Sequence, residues 1–384
     1  MASSTAGEVI TCKAGVVWEA GQPISIQQIQ VAPPQSKEVR IKITHTSLCQ
    51  TDIYFWKGKD GGAWFPRILG HEGAGIVESV GSEVTELKAG DHVIPSYMAE
   101  CKECELCDRG KNNMCEVFIF NYLSGVAYTD KKCRFSLNGK PIHHFFGLST
   151  FSEYTVVHMS CVAKVNREAP LDKICLLGCG VPAGLGAAWN GGKVKPGDSV
   201  AIFGLGTIGL AVAEGARIAG ASRVLGIDIN PAKEETSKRF GVTEFLNPSD
   251  FDKPIQEVIR EMTKGGVNSS YECVGRVELM LAALQCSHPA WGRTIILGLD
   301  EMDKKLSFNP LEILQGRKLK YVAFGGFKNS DIPKLVDKYM NNEFDLDKYI
   351  TQRMAFSDIN AAMEMLVAGK CLRCVLQMDE DCPN

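Results

Sequence analysis

The sequence predicts an α/β protein that combines a β-rich domain with a doubly wound parallel-sheet domain. The first observation is length, because 384 residues exceed one ordinary domain and suffice for two. The second is that apolar–polar alternation and glycine-rich turns dominate the chain up to about Cys179. The third is that short apolar strands alternate with helical patterns after Cys179, as in a parallel sheet covered by helices.

The β-rich part is predicted from β-branched residues, alternation and turn signals. Its strands are expected within residues 8–21, 38–47, 70–81 and 116–165. The charged segment 101–115 interrupts them with four cysteines and no apolar period, so it is expected to form a loop.

The parallel-sheet part begins with an apolar strand and a helix that Gly220 closes. After the next strand, Asn230 is predicted as a helix N-cap with Pro231 at the first helical position. Its strands are predicted at residues 199–206, 223–229, 243–247, 267–275 and 293–298. From about Val322 the pattern is mixed, with helices at 332–340 and 357–370 and a last strand at 371–378.

Composition excludes several classes of protein. Lys and Arg number 42 and Asp and Glu number 45, a net charge of −3, so a general nucleic-acid binder is not expected. No run of apolar residues is long enough for a transmembrane helix, and the first residues lack the pattern of a secretory signal. We therefore expect a cytoplasmic protein. Its fifteen cysteines then indicate metal ligation or reduced thiols rather than a disulfide framework.

Four cysteines predict a structural metal site. They follow the spacing C-x2-C-x2-C-x7-C, at Cys101, Cys104, Cys107 and Cys115. Four thiolates this close together can surround one Zn²⁺ and leave no position for substrate. An iron–sulfur cluster is the rival interpretation, although the long final gap and the absence of a following proline weigh against it.

A second metal site is predicted from Cys49, His71 and Cys179. Two thiolates and one imidazole with a vacant fourth position are typical of catalytic zinc. Glu72 and Asp52 adjoin these residues and could orient or balance them, and Glu72 is counted with the predicted zinc set; either carboxylate could equally be an ordinary surface group. Each residue also has an ordinary structural interpretation, as a buried thiol or a hydrogen-bonded histidine, and sequence spacing alone does not show that they meet.

A dinucleotide-binding turn is predicted where the parallel sheet begins. Gly204, Gly206 and Gly209 form G-x-G-x-x-G between an apolar strand and a helix, the context that the motif requires. Asp228 ends the next strand, where a carboxylate accepts hydrogen bonds from ribose hydroxyls and repels a 2′-phosphate. NAD is therefore expected rather than NADP. The alternative is a tight strand–helix turn with a solvated aspartate.

Taken together, CQTD, GHEGAG, the four-cysteine loop, GCGVPAG, FGLGTIGLAV, GIDINPAK and CLRC resemble the zinc-dependent medium-chain alcohol dehydrogenases. FPRILGHE, FSEYTVV and GLAVAEGAR are most similar to the plant branch. The resemblance implies a homodimer and a GroES-like catalytic domain interrupted by a Rossmann domain. The implied boundaries are residues 1–180 and 323–384 for the catalytic domain and 181–322 for the insertion. Two zinc ions per chain are implied.

The resemblance also implies roles for individual residues. Cys49, His71 and Cys179 would hold the catalytic zinc near Glu72, and Thr51 would take the substrate proton, with Tyr54 where some members have a relay histidine. The cofactor would be contacted by Lys233, at the adenosine ribose, and by Arg373, at the pyrophosphate. Without the resemblance, Lys233 would be a solvated helix charge and Arg373 a cation at a strand edge.

Three departures from the family pattern involve four positions. Gln50 replaces a cation that pairs with the pyrophosphate, and Pro182 and Ala183 replace two hydroxyl residues beside the nicotinamide. Ile119 stands where members that oxidise S-hydroxymethylglutathione carry an arginine, so that adduct is not the expected substrate. An apolar pocket is suggested by aromatic residues that could equally be core, namely Phe118, Phe120 and Trp56.

The expected function is NAD-dependent interconversion of an alcohol with an aldehyde or ketone, acting on a small molecule. The alternative is non-redox cleavage of a cyanohydrin on the same scaffold, as in flax hydroxynitrile lyase, motivated by Gln50, Pro182 and Ala183. A third possibility is a binding protein on an inherited scaffold, which the intact Cys49–His71–Cys179 set argues against.

Overall fold

A computed structural model describes residues 5–59, 64–301 and 303–378. The strands are β1 Ile10–Val17, β2 Ser25–Val31, β3 Glu38–Ser47, β4 Arg67–Ile68, β5 Glu72–Val80, β6 His92–Pro95, β7 Phe135–Leu137, β8 Lys140–Ile142, β9 Tyr154–His158, β10 Val162–Lys164, β11 Ser199–Phe203, β12 Arg223–Ile227, β13 Glu244–Leu246, β14 Ser269–Glu272, β15 Arg293–Ile296, β16 Lys318–Tyr321, β17 Ile350–Ala355 and β18 Arg373–Gln377.

The helices are α1 Gln50–Trp56, α2 Glu105–Arg109, α3 Glu116–Ile119, α4 Leu171–Ile174, α5 Gly180–Gly186, α6 Thr207–Ile218, α7 Lys233–Lys238, α8 Ile255–Met262, α9 Val277–Cys286, α10 Leu311–Leu314, α11 Ile332–Met340 and α12 Ile359–Val367. A π-helical segment, Ala187–Gly192, follows α5. Within the described ranges, no single helix is long and apolar enough to cross a membrane, and only the bent pair Leu171–Gly178 with Gly180–Gly192 reaches that length together.

The chain divides into two compact units, and the first contains both ends of the sequence. It comprises residues 1–179 and 328–384. One of its sheets has the order β4-β1-β2-β7-β8, and the other has the order β10-β6-β5-β3-β18-β17 with β9 paired to β3. Apolar side chains from both sheets form the core, including Ile29, Ile41, Phe135 and Leu376. The last strand, β18, lies antiparallel to β3, so the C-terminal segment completes a sheet that the N-terminal segment begins.

The second unit, residues 180–327, contains a six-stranded parallel sheet. Its order is β13-β12-β11-β14-β15-β16, so the chain starts in the middle, builds outward on one side and then on the other. This is the order of a doubly wound sheet, whose topological switch point lies where β11 and β14 are neighbours. The predicted α/β class is confirmed.

Several predicted details differ from the structure. The helix after β12 starts at Lys233 rather than Pro231, because the Asn230 side chain accepts the N–H of Ala232 and holds a turn before the helix. The loop at 101–115 contains the short helix α2, and residues 116–119 form helix α3 rather than a strand. The structural units change over at residues 179/180 and 327/328.

Candidate metal and cofactor sites

A buried group of metal-binding side chains lies in the first unit. Cys49 is the N-cap of α1, His71 immediately precedes β5, and Cys179 follows a 3₁₀ turn, Cys175–Gly178. Together with Glu72, these residues place one ligand atom each within 4.8 Å of the others. All four are buried. The structure therefore brings together the residues that sequence spacing alone could not.

Asp52 fixes the orientation of His71. Its Oδ1 lies 3.0 Å from His71 Nδ1 and accepts the N–H of Gly70, while its Oδ2 accepts the N–H of Cys49. A proton on Nδ1 leaves Nε2 with a free lone pair. Nε2 is buried and makes no hydrogen bond within the described part of the chain. This orphaned nitrogen fits a metal ligand.

Glu72 forms a bidentate ion pair with Arg373. The Arg373 Nε and a terminal nitrogen each donate to a different Glu72 oxygen at 2.8 Å, and that terminal nitrogen also lies 3.4 Å from Cys49 Sγ. Burial raises the pKa of Glu72 to about 7 even though Arg373 opposes the shift. Because Arg373 engages both carboxylate oxygens, the Cys49, His71 and Cys179 ligands fit a three-residue zinc site with an open position better than a four-residue one.

The two thiols of this site differ in protonation. Hydrogen bonding with the Cys179 sulfur holds the pKa of Cys49 well below its ordinary value, helped by the Arg373 guanidinium and opposed by desolvation. The same contact with Cys49, together with burial, raises the pKa of Cys179. Cys49 is therefore the thiolate of the pair, and a cation would favour ionisation of both.

Of the two predicted relay residues on α1, only Thr51 lies beside the metal ligands. Its hydroxyl oxygen is 3.7 Å from Cys49 Sγ. The Tyr54 hydroxyl donates to the carbonyl of Lys59 at 2.9 Å. Gln50 donates to the carbonyl of Leu366 at 3.3 Å. The relay roles of Thr51 and Tyr54 remain predictions.

An aromatic wall borders His71. Its ring centroid lies 6.3 Å from that of Tyr97, 5.6 Å from Phe145 and 5.9 Å from Phe146. Phe118 extends this wall, with its centroid 5.8 Å from that of Tyr97. The other two aromatic residues singled out in the sequence lie elsewhere: Phe120 is 75% exposed, and Trp56 donates to the carbonyl of Gln22. The sequence interpretation did not include Phe145 and Phe146, and their adjacency in the sequence is the signal that points to them.

The four-cysteine loop forms a second metal-binding group. Cys101, Cys104, Cys107 and Cys115 have all four sulfurs within 4.8 Å of one another. Cys104 and Cys115 are the N-caps of α2 and α3, and Cys101 Sγ accepts the N–H of Cys104. Four thiols without a carboxylate or imidazole fit a closed, tetrahedral zinc site.

The predicted dinucleotide turn joins β11 to α6 in the second unit. Gly204 has φ +91°, and a Cβ on Gly209 would lie 1.9 Å from the Gly204 carbonyl, so both positions need glycine. A Cβ on Gly206 would meet no atom within 4 Å, which leaves the backbone open to a ligand. Asp228 accepts the N–H of Leu205 at 2.8 Å and the Lys233 ammonium at 2.7 Å. The turn fits the pyrophosphate and ribose of a dinucleotide.

Comparison with known proteins finds two family matches. The family described as "Alcohol dehydrogenase GroES-like domain" matches residues 35–167, and "Zinc-binding dehydrogenase" matches residues 207–376. Alcohol dehydrogenase class-3 from Oryza sativa subsp. japonica is 58% identical over 381 residues, 99% of this chain and 100% of the relative. Alcohol dehydrogenase 1 from Solanum tuberosum is 54% identical over 379 residues, 98% of this chain and 100% of the relative.

Solved structures give a similar result. A zinc-binding alcohol dehydrogenase domain protein from Burkholderia ambifaria is 30% identical with a TM-score of 0.90, covering 97% of this chain and 100% of that one. Benzyl alcohol dehydrogenase from Acinetobacter calcoaceticus is 29% identical with a TM-score of 0.89, covering 96% and 100%. These likenesses confirm the expected GroES-like and Rossmann-type architecture.

Proposed function

Because the chain belongs to the zinc-dependent alcohol dehydrogenases, we propose that it interconverts an alcohol with an aldehyde or ketone at the Cys49–His71–Cys179 site, using NAD. The observation that carries this proposal is the buried convergence of two thiols and an orphaned His71 Nε2. None of the relatives named above is a lyase, and no feature of the site favours cyanohydrin cleavage.

The chain's own residues supply the binding and the proton transfer. Cys49, His71 and Cys179 hold the metal, and Asp52 keeps the His71 lone pair directed at it. When bound, zinc would supply Lewis acidity at the alcohol oxygen and NAD would supply the hydride acceptor. The Thr51 hydroxyl takes the proton from the alcohol. The glycines of the β11–α6 turn, Asp228 and Lys233 bind the dinucleotide, and the assignment of Arg373 to its pyrophosphate remains a prediction from the family resemblance.

The substrate is proposed to be an apolar, preferably aromatic, primary alcohol. The wall formed by Tyr97, Phe118, Phe145 and Phe146 supports this assignment, as does the likeness to a benzyl alcohol dehydrogenase. The likeness to a class-3 alcohol dehydrogenase would suggest S-hydroxymethylglutathione as the substrate instead. Ile119, 37% exposed, offers no cation for the carboxylates of a glutathione adduct.

A panel of substrates tests the activity. The zinc-loaded protein is given NAD with ethanol, benzyl alcohol or S-hydroxymethylglutathione, and NADH absorbance is followed; acetone cyanohydrin is assayed in parallel for cyanide. We expect NADH with benzyl alcohol at the highest kcat/KM and no cyanide. The control Cys179→Ser should abolish turnover while Cys133→Ser, outside both metal groups, should not. Cyanide release without NADH would establish the lyase instead.

A homodimer is proposed through the edge of the parallel sheet. Within the described residues β16 is the terminal strand of the sheet, and its strand partner is β15. Large apolar side chains in and around this part of the sequence are exposed: Leu299 by 60%, Leu311 by 66%, Leu314 by 73% and Tyr321 by 54%. A sheet edge with exposed apolar neighbours favours association. Sedimentation should give the mass of a dimer for the native chain and of a monomer for Leu314→Asp with Tyr321→Asp.

A cytoplasmic location is also proposed. Its support is that the cysteines within the described residues are free thiols, many of them buried. Reduced thiols are typical of proteins kept in a reducing compartment. Subcellular fractionation of the untagged protein would test it.

A further inference from the structure

A small basic cavity lies in the second unit, away from the dinucleotide turn. Its volume is about 150 Å³. It is lined by four cationic side chains and two apolar residues: Lys193, Arg293, Lys318, Lys320, Gly191 and Ile295. These residues come from the last two strands of the sheet and from the end of the π-helical segment Ala187–Gly192.

Strand register explains why the cations converge. Arg293 on β15 pairs with Lys318 on β16, and two residues later Ile295 pairs with Lys320. Partners in register on parallel strands project from the same face, and residues two apart on one strand share that face. Both lysines of β16 therefore project beside Arg293. The π-helical segment packs over this face, because a Cβ on Gly191 would contact Ile295.

These four charges lack an acidic counterpart. Within the described residues, none of the four forms an ion pair, and the hydrogen bond of Arg293 is to the Gly192 carbonyl at 3.2 Å. Arg293 is half-buried, and the lysines are exposed around it. Four unpaired like charges repel one another and create a local positive potential that a single anion would relieve.

Polar groups lie deeper on the same face. Ser269 and Tyr271 on β14 are in register with Arg293 and Ile295. Both are fully buried, and the Tyr271 hydroxyl interacts with the Ser269 side chain. A Cβ on Gly192 would lie 1.9 Å from that hydroxyl, so glycine at 192 makes room for it next to the carbonyl that Arg293 contacts.

We propose that this cavity binds one small tetrahedral oxyanion, of which inorganic phosphate is the probe. Arg293 supplies the planar fork that matches two phosphate oxygens, and the lysines supply point charges around it. The cavity has room for one such ion and ordered water. The site goes beyond the dehydrogenase function and does not depend on it. It is compatible with the proposed homodimer, because that dimer would use the backbone edge of β16, whereas Lys318 and Lys320 project from the face of the sheet beside Arg293.

Calorimetric titration of the zinc-loaded full chain tests the proposal. Saturating NAD occupies the dinucleotide site, and phosphate is compared with potassium chloride at equal ionic strength. We expect saturable binding of one phosphate per chain and no saturable response to chloride. Arg293→Gln should weaken binding about tenfold or more, the loss of one charged hydrogen bond. The control Lys305→Gln, an exposed lysine in the same unit that does not line the cavity, should leave the affinity unchanged.

The same titration identifies the outcomes that overturn the site. Equal weakening by Lys305→Gln would mean general charge screening, and complete loss of binding with NAD present would place phosphate in the dinucleotide turn. If zinc content shows that Arg293→Gln does not fold, the double variant of the exposed lysines, Lys318→Gln with Lys320→Gln, is titrated with phosphate in its place. Glycerol phosphate in place of phosphate distinguishes the source: tighter binding indicates the phosphate group of an ester, and weaker binding indicates the free ion.

Discussion

At the scale of single residues, the metal site depends on one carboxylate that has several partners. Asp52 accepts the N–H groups of Cys49 and Gly70 and contacts His71. It therefore holds both a cysteine ligand and the histidine ligand, and it does so from a fully buried position. Hydrogen bonds to a ligand from outside the metal shell set its tautomer and its basicity.

Asp52→Asn should lower zinc affinity at the Cys49–His71–Cys179 site about 10- to 100-fold, because the amide removes the charge that favours a proton on His71 Nδ1. Competition with a chelator measures this affinity, and turnover should fall in parallel. Asp91→Asn is the matched control, since Asp91 is similarly buried but pairs with Lys164 away from the metal groups. Unchanged zinc affinity in Asp52→Asn would show that Asp52 has only a structural role.

The Glu72–Arg373 pair should be strongly coupled in folding. Both side chains are almost fully buried, so Arg373→Gln leaves a buried carboxylate without its cation and should cost about 3 kcal/mol or more of unfolding free energy. The double variant Glu72→Gln with Arg373→Gln should cost less than the sum of the single variants, by about 2 kcal/mol. Urea unfolding of the zinc-loaded proteins completes this cycle. Additive effects would mean that the pair contributes no coupling.

The sequence identified each ligand of the catalytic site but could not establish that they meet. Their convergence depends on strand register: Ser47 on β3 pairs with Glu72 on β5, so Cys49 and His71 emerge at the same end of adjacent strands. Cys179 can approach because residue 178 is glycine: a Cβ there would lie 3.1 Å from the His71 carbonyl. Register follows from long-range packing, which local spacing does not encode.

At the scale of elements, the four-cysteine loop is the segment most dependent on metal. Helix α2 has five residues, α3 has four, and neither contains a buried residue. Helices this short are unstable by themselves, so the thiolates at their N-caps must be held by an ion. Here spacing alone singled out the four cysteines whose sulfurs the structure brings together, because all four lie within fifteen residues. It did not predict α2 or α3, whose apolar periodicity is too short to recognise.

Cys107→Ser should reduce bound zinc by about one ion per chain and expose residues 101–119 to protease. The loop loses a thiolate ligand, and neither α2 nor α3 contains a fully buried residue that could hold it in place. Zinc analysis and mapping of the cleavage sites provide the measurement. Cys133→Ser, a half-buried thiol outside the cluster, serves as control and should retain full zinc. Protection of residues 101–119 in a zinc-depleted Cys107→Ser protein would contradict the metal's role as the organiser of this loop.

At the scale of the whole molecule, alternation of strands and helices was sufficient to predict the parallel sheet, and the structure confirms its class. The boundaries were harder to predict. The change in sequence pattern predicts a boundary at about Val322, whereas the second unit continues to Phe327. The turn Ala323–Gly326 packs on α5, since a Cβ on Gly186 would lie 2.3 Å from the Gly325 carbonyl. A boundary set by such a contact has no compositional signal.

The free energy of unfolding should fall as the pH drops below about 6.5, the ordinary pKa of histidine, and His144 should contribute to this pH dependence. Burial lowers the pKa of His144 from 6.5 to about 3, and its Nε2 accepts the N–H of Arg134 as a neutral ring. Between these two values the unfolded chain binds a proton that the folded chain does not. His144 therefore favours folding fully above pH 6.5, and this contribution is lost, by about 1.4 kcal/mol per pH unit, as the pH falls toward 3.

His144→Gln separates this contribution from the acid lability of the metal sites, because a glutamine oxygen can still accept the Arg134 N–H but does not titrate. Urea unfolding at pH 6.5, 5.5 and 4.5 with saturating zinc should show a shallower loss of unfolding free energy in this variant, approaching about 1.4 kcal/mol less per pH unit. Phe135→Leu removes the ring that packs on His144, with centroids 4.6 Å apart, and keeps the imidazole. It should lower stability at every pH without changing the slope. Parallel curves for the native chain and His144→Gln would mean that His144 is protonated in the folded state and that acid destabilisation originates elsewhere.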